Sequence, residues 1–318
     1  MADEGHIIPL DATRLVVDMQ CIPPTAFAGH PQIVEVICHD RVEKIEEGAF
    51  ADCPNLRRVV MPGVKIVERA AFICSALEDV ECGKLEIIGE FAFGACKSLR
   101  SINLPSARIV EEYAFTQCDA LTGVIFSSNL DRIDRIAFSK CFSLERITIP
   151  LKDGIITADD NVFRGCDNLN QVHLVEGEVH ATIASFDSEE WRDDMNREID
   201  SINQILPNAS AGNYDAEEEE WIGIEKAQVI RRWIRSVIDK MNHYKAEHQR
   251  LLNEAATLLE LAMWKANLDD NNGGRTMSMR EGVRTTRGSV KRARRELCVT
   301  SGASIVIKNV LPFLELKS

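Results

Sequence analysis

One pattern returns seven times along the first half of the chain and decides what that half can fold into. Its full form is Ala49-Phe50-x-x-Cys53-x-x-Leu56-x-x-Val59. The same spacing recurs from Ala92-Phe93 with Cys96, from Ala114-Phe115 with Cys118, and from Ala137-Phe138 with Cys141. Val162-Phe163 leads the copy that contains Cys166, Ala71-Phe72-x-Cys74-x-x-Leu77 is one residue short, and Ala26-Phe27 opens the series with His30 in the Cys place. The Phe residues fall at 27, 50, 72, 93, 115, 138 and 163, a period of 21 to 25 residues. Self-similarity at that period is the signature of a solenoid, whose units each contact only their neighbours.

Each copy ends in a short β-branched run, such as Leu99-Arg-Ser-Ile102-Asn-Leu104-Pro105 or Leu144-Glu-Arg-Ile147-Thr-Ile149-Pro150, which reads as a strand. Pro closes the run because it has no N–H to give to a ladder. A second apolar pair precedes most of the Phe residues: Met19/Ile22, Val42/Ile45, Val64/Val67, Leu85/Ile88 and Leu130/Ile133. No single copy can bury so many inward positions. Stacked rungs can, with the Phe and Cys side chains in continuous columns.

The repeat resembles leucine-rich repeats of the BspA-like, treponemal class, which share the A-F-x-x-C-x-x-L core and the I-x-x-x-A-F lead-in. The resemblance covers about residues 15–180. It implies an α/β leucine-rich-repeat solenoid with a curved parallel sheet on its concave face and short turns elsewhere. It leaves the ligand open, since the class serves adhesion, host contact and intracellular scaffolding alike.

No catalytic constellation stands out. The chain lacks G-x-S-x-G, H-E-x-x-H and a P-loop. Cys53, Cys96, Cys118, Cys141 and Cys166 occur one per rung, where a buried thiol acts as a small hydrophobe. That spacing suits neither a zinc site nor a nucleophile, which needs an electropositive, partly exposed setting. The expectation is a non-enzyme without cofactor or metal. No apolar run is long enough for a membrane span. Met1-Ala-Asp-Glu-Gly-His lacks the apolar core of a secretion signal, which points to the cytoplasm or, through the basic tail, the nucleus.

Near Ser185 the pattern turns helical. Asp187 or Ser188 reads as an N-cap, and apolar residues follow at 191, 195, 199, 202 and 206. Pro207 and the Asn208–Asn213 run make a loop. A second helix is expected to open at Asp215 and Glu217–Glu220. It carries a heptad-like seam that includes Ile230, Trp233, Val237, Met241, Tyr244, Leu251 and Leu258. The first helix is too short to cover this seam, so the end of the solenoid, the tail or a second copy of the chain must cover the rest. Two stretches here, His243–Ala266 and Ser301–Leu314, resemble the C-terminal region of an expanded repeat-protein family of stramenopile algae. That resemblance implies a solenoid paired with a helical module and transfers no functional residue.

The resulting partition is an N-terminal segment over 1–14, the solenoid over 15–182, a helical hairpin with one long helix over 183–270, a basic segment over 271–297 and an apolar C-terminal segment over 298–318 that packs on the body. The net charge is −13, yet the chain from 271 onward is basic. Lys291, Arg292, Arg294 and Arg295 form a K-R-x-R cluster of the nuclear-import type. The cluster lacks the aromatic residues that stack on bases, and the acidic body repels phosphate, which argues against nucleic acid.

The concave face should expose the residues one, two and four places after each repeat Leu. Its candidate partner-binding residues are Arg57, Arg58, Glu78, Asp79, Glu81, Arg100, Asn103, Glu145, Arg146, Asn170 and His173. Opposite charges on neighbouring rungs could also neutralise one another there without any ligand. The leading expectation is a protein-interaction scaffold that uses this face and the long helix, the latter as a homodimer contact. A surface or glycan recognition or adhesion module and a nuclear regulator that uses the basic tail are the alternatives.

Overall fold

The computed structural model describes residues 13–156, 161–175, 177–186, 188–209, 213–215, 220–222 and 226–273. The chain divides into two compact units, Met1–Met241 and Asn242–Ser318.

In the first unit most repeats contribute two short strands, one to each of two ladders. The longer ladder runs Arg14–Val17, Glu35–Cys38, Arg58–Val60 and Asp79–Glu81 in one sheet, then Ser101–Leu104, Gly123–Phe126, Arg146–Ile149 and Gln171–Leu174 in a second. The shorter ladder is a single sheet of Cys21–Ile22, Lys44–Ile45, Ile66–Val67, Ile87–Ile88, Ile109–Val110 and Arg132–Ile133. All these pairings are parallel, and the register aligns Leu15, Val36, Val59 and Val80, then Ile102, Val124, Ile147 and Val172, all buried. The fold is thus a parallel-sheet repeat solenoid of about seven turns followed by a helical region.

Its core is the Phe column. Successive rings from Phe27 to Phe163 lie 5.1, 5.3, 5.3, 5.3, 5.2 and 5.9 Å apart, with planes within 19° of parallel. The thiol column runs beside it and has a polar task. The Sγ atoms of Cys53, Cys96, Cys118, Cys141 and Cys166 donate to the carbonyls of Phe27, Phe72, Phe93, Phe115 and Phe138 at 3.0–3.2 Å. Each of these carbonyls also accepts the backbone N–H three residues further on, so the thiol gives its second lone pair a partner across the rung interface, which a plain aliphatic side chain could not do. In the short copy the slot belongs to Ser75, not Cys74. Ser75 is buried, donates to Phe72 O at 2.7 Å and lies 3.4 Å from Cys96 Sγ, whereas Cys74 is exposed.

The helical elements are α1 (Glu178–Ala184), α2 (Glu189–Ile205) and α3 (Lys226–Gly273). Ser188 is the N-cap of α2 and accepts from Trp191 N at 3.3 Å. The expected opening of the long helix at Asp215 is corrected: Asn213–Asp215 pairs antiparallel with Glu220–Ile222, and α3 starts at Lys226. Tyr214, Trp221 and Ile222 favour strands, four successive glutamates repel one another, and Gly223 opposes helix. With 48 residues α3 is about 72 Å long.

The first turns of α3 belong to the first unit and cap the solenoid there. Within the repeats, the carbonyl that follows the Cys position accepts from an Asn side chain of the next rung: Asn55 Nδ2 donates to Pro31 O at 2.8 Å and Asn168 Nδ2 to Phe142 O at 2.7 Å. After the last rung Lys226 takes this part. It is 2% exposed, and its Nζ donates to Asp167 O at 2.6 Å and Leu169 O at 2.7 Å. Ile230, Trp233, Ile234, Val237 and Met241 are buried, as are Met195 and Ile202 of α2. Trp233 Nε1 donates to Glu198 O at 3.0 Å, and Lys240 reaches Asp194 and Glu198 at 2.9 Å each. Asn203 of α2 closes the open edge of the longer ladder by accepting the Val172 N–H at 2.8 Å, so the last strand offers no bare edge at that point.

In the second unit the helix turns polar on much of its surface, with Arg250 paired to Glu247 and Glu254. Leu251, Leu258, Leu261, Met263 and Trp264 are exposed. The basic cluster Lys291–Arg295 and the apolar segment near 304–314 lie outside the described residues.

Candidate binding face of the solenoid

Alternate residues of each longer-ladder strand point inward, because side chains of a strand alternate between its faces. Those between them form the outer face. The predicted face residues do lie there: Arg57, Arg58, Asp79, Glu81, Arg100, Asn103, Glu145, Arg146, Asn170 and His173 are exposed and Glu78 is half-buried.

The two halves of this face differ. In the first four rungs the charges are consumed by one another. Arg58 contacts Glu35 and Asp79 at 3.2 Å each and also pairs with Glu81, while Arg57 pairs with Glu78 and Arg14 with Glu35 at 3.0 Å. The hydrogen bonds that the Arg58 guanidinium donates to Glu81 and Asp79 hold it even more firmly protonated than usual. Water screens exposed pairs of this kind, so they neutralise the surface more than they stabilise it.

In the last four rungs no ion pair forms among the described residues at Arg100, Glu145 or Arg146. Arg146 lies across the strand beside it. A Cβ at Gly123 would come within 3.1 Å of its Nε, so the glycine leaves the space that the guanidinium stem occupies. Next to Arg146 on the same strand is Thr148, aligned with Ile125 and His173, and Ile125 is 49% exposed. These three line a cavity of about 530 Å³, walled by His180 of α1 and by Ile199, Asp200 and Asn203 of α2. The cavity combines apolar walls with a few convergent polar groups, the usual make-up of a recognition pocket.

Sequence reasoning placed the strand residues but missed the helical wall. Ile199 belongs to the apolar series of α2, and nothing in that series reveals which turn of the helix meets the sheet. The seam residues divide: Ile230, Trp233, Val237 and Met241 are buried in the first unit, Tyr244 is half-buried, and Leu251 and Leu258 are exposed.

Among the described residues no group of three or more His, Cys, Asp or Glu side chains could hold a metal ion. Burial pushes Cys96 up to about 12 and Cys141 and Cys166 well above the usual thiol range, which keeps the column protonated and poorly nucleophilic at neutral pH. Among the described residues no helix is long and apolar enough to cross a membrane.

The sequence pattern of the BspA type leucine-rich repeat region matches residues 10–107 and 86–189, in six copies. No match is found among the curated proteins. Of the solved structures, a leucine-rich repeat protein from Bacteroides ovatus is 22% identical over 52% of this chain and 42% of its own, with a TM-score of 0.44. The Treponema pallidum leucine-rich repeat protein is 23% identical over 51% of this chain and 70% of its own, with a TM-score of 0.39. A leucine-rich cell surface protein of Faecalibacterium prausnitzii is 23% identical over 53% and 33%, with a TM-score of 0.27. The chain thus spans less than half the length of the Bacteroides protein.

Proposed function

This chain belongs to the BspA-type leucine-rich repeat family, and we propose that it is a non-enzymatic module that binds a partner protein through the last four rungs of its longer ladder. The observation that carries the reading is the uneven use of charge. Arg57 and Arg58 are spent on Glu35, Glu78, Asp79 and Glu81, whereas Arg100 and Arg146 have no carboxylate partner among the described residues. A partner that supplies carboxylates to Arg100 and Arg146 and an apolar side chain to Ile125 would fit this half and gain little from the other. The ordered aliphatic and imidazole groups around the cavity, His173 and His180 among them, supply the specificity.

The long helix supplies a second contact in this reading. Its exposed Leu251 and Leu258 continue the heptad-like seam beyond Met241, and they form the coiled-coil side of the scaffold, with a second copy of the chain as the simplest occupant. Light scattering at tens of micromolar tests that part: a strict monomer removes it.

The face is tested by affinity capture from native lysate with the full chain as bait. The captured protein is identified, purified and titrated against variants. Arg146→Ala with His173→Ala should weaken binding about tenfold or more, as expected for the centre of an interface. Arg57→Ala with Glu78→Ala should change it less than about threefold, since that pair is already neutral. The reverse order of effects rejects the assignment.

A further inference from the structure

The turns that carry the core Phe residues use two left-handed backbone positions, the turn at Phe163 only the trailing one. The leading one, two residues before the ring, is Thr25, Gly48, Ala70, Phe91, Tyr113 and Ile136, with φ between 52° and 61°. The trailing one, two residues after it, is Gly29, Asp52, Cys74, Ala95, Gln117, Lys140 and Gly165, with φ between 54° and 72°. Glycine adopts such angles freely; bulky and β-branched residues rarely do. Gly48 and Ala70 show that the leading turn needs no large side chain. Three successive rungs nonetheless place Phe91, Tyr113 and Ile136 there, the last of them β-branched.

These side chains are not core. All three are only half-buried, and the Phe91 and Tyr113 rings stack against each other at 4.6 Å with planes 2° apart. They form a stripe along a cleft of about 320 Å³. Gly94 helps keep the floor open, since a Cβ there would meet the Phe91 ring at 3.3 Å. Thr116, Gln117 and Ser139 add polar groups, and the charged side chains that line it among the described residues, Lys140 and Arg164, are both cationic in a chain of net charge −13. Lys140 is exposed and has no carboxylate partner among the described residues. Left-handed turns recur along the whole column; particular to this stretch is that bulky residues accept them, and that they do so beside an apolar stripe and two cationic side chains.

We propose that this cleft is a second docking site, which takes an extended peptide segment of a partner protein that carries a bulky apolar side chain close to a carboxylate. The apolar side chain lies along Phe91, Tyr113 and Ile136, and the carboxylate is held by Lys140. The site shares no residue with the strand face, so the two readings stand or fall separately.

The test is selection of a displayed random dodecapeptide library on the full chain. Enriched peptides should pair Leu, Phe or Trp with a nearby Asp or Glu. Their affinity should fall about tenfold or more in Lys140→Ala and in Tyr113→Asn, and stay unchanged in Arg146→Ala. Asn tolerates the left-handed turn, so the melting temperature of Tyr113→Asn should remain within about 4 °C of the parent. Absence of enrichment, equal binding to Lys140→Ala, or loss of binding only in Arg146→Ala overturns the proposal. A fall in melting temperature of about 8 °C or more with Tyr113→Asn assigns the stripe to the fold and overturns it as well.

Discussion

Truncating one ring of the Phe column tests whether the rungs stand on one another. Phe93 is fully buried, with Phe72 on one side and Phe115 on the other, each at 5.3 Å. Phe93→Ala removes the ring and leaves a cavity between two rigid neighbours, which costs about 3–5 kcal/mol. Two stacked contacts are lost, each contributing about 0.5–1.5 kcal/mol beyond its buried area, so the upper end of that range applies. Phe27 is the comparison. It opens the column, is half-buried and stacks on Phe50 alone at 5.1 Å. Partial burial scales its loss down to about 1–2 kcal/mol. Urea unfolding followed by circular dichroism measures both. The two variants should differ by at least about 2 kcal/mol, because an inner rung serves two interfaces and an outer rung one. Equal costs would refute the reasoning, since they would mean that the rungs do not share a continuous core.

Three other outcomes follow from the contacts. Lys226→Met should cost about 2–3 kcal/mol in the same assay, because Asp167 O and Leu169 O are left without their donor; a loss under about 0.5 kcal/mol would show that the cap is dispensable. Cys118→Ser should be tolerated, as Ser75 already fills that slot in its own rung, whereas Cys118→Val leaves the Phe93 carbonyl with the Cys96 N–H alone and should cost about 0.5–1.5 kcal/mol; equal behaviour of the two would remove the hydrogen-bonding role of the thiol column. Glu198 is held below its ordinary value of 4.5 by hydrogen bonds from Ser236 and Lys240. A depressed carboxylate adds stability above its unfolded value and loses it as pH falls through its folded one. Trp233, which donates to Glu198 O, should therefore report a loosened α2–α3 contact on acidification below about pH 4.5, and Glu198→Gln should reduce that dependence to the part carried by Asp194, the other carboxylate on Lys240.

The parts of the molecule that were legible in the sequence are those set by period. Phe50, Cys53, Leu56 and Val59 recur at one spacing, and the structure stacks them into columns because parallel rungs align equivalent residues. The leading pairs behave alike: Ile22, Ile45, Val67, Ile88 and Ile133 are all buried. Departures from the period were harder to place. The short copy contains both Cys74 and Ser75, and only the backbone path shows which of them faces inward. The start of α3 was misplaced because acidic residues near a helix N-terminus look favourable, while the strand preference of Tyr214, Trp221 and Ile222 acts through a partner strand that a local reading does not weigh.

The binding face was legible as a set of exposed positions, not as a site. Whether Arg57 is paired depends on Glu78, 21 residues away, and on side-chain reach across a rung. Sequence suggested that charges on neighbouring rungs could cancel. The structure adds that the described residues form no such pair at Arg100 or Arg146. The left-handed stripe was invisible, since only Gly48 in that column carries the usual glycine signal.

The most direct measurement is hydroxyl-radical footprinting of the full chain with and without the purified captured partner. The account predicts protection at Ile125, His173 and the α2 wall around Ile199, with the side chains from Arg57 to Glu81 unchanged. Protection confined to those first rungs, or to the helix beyond Asn242, would contradict it.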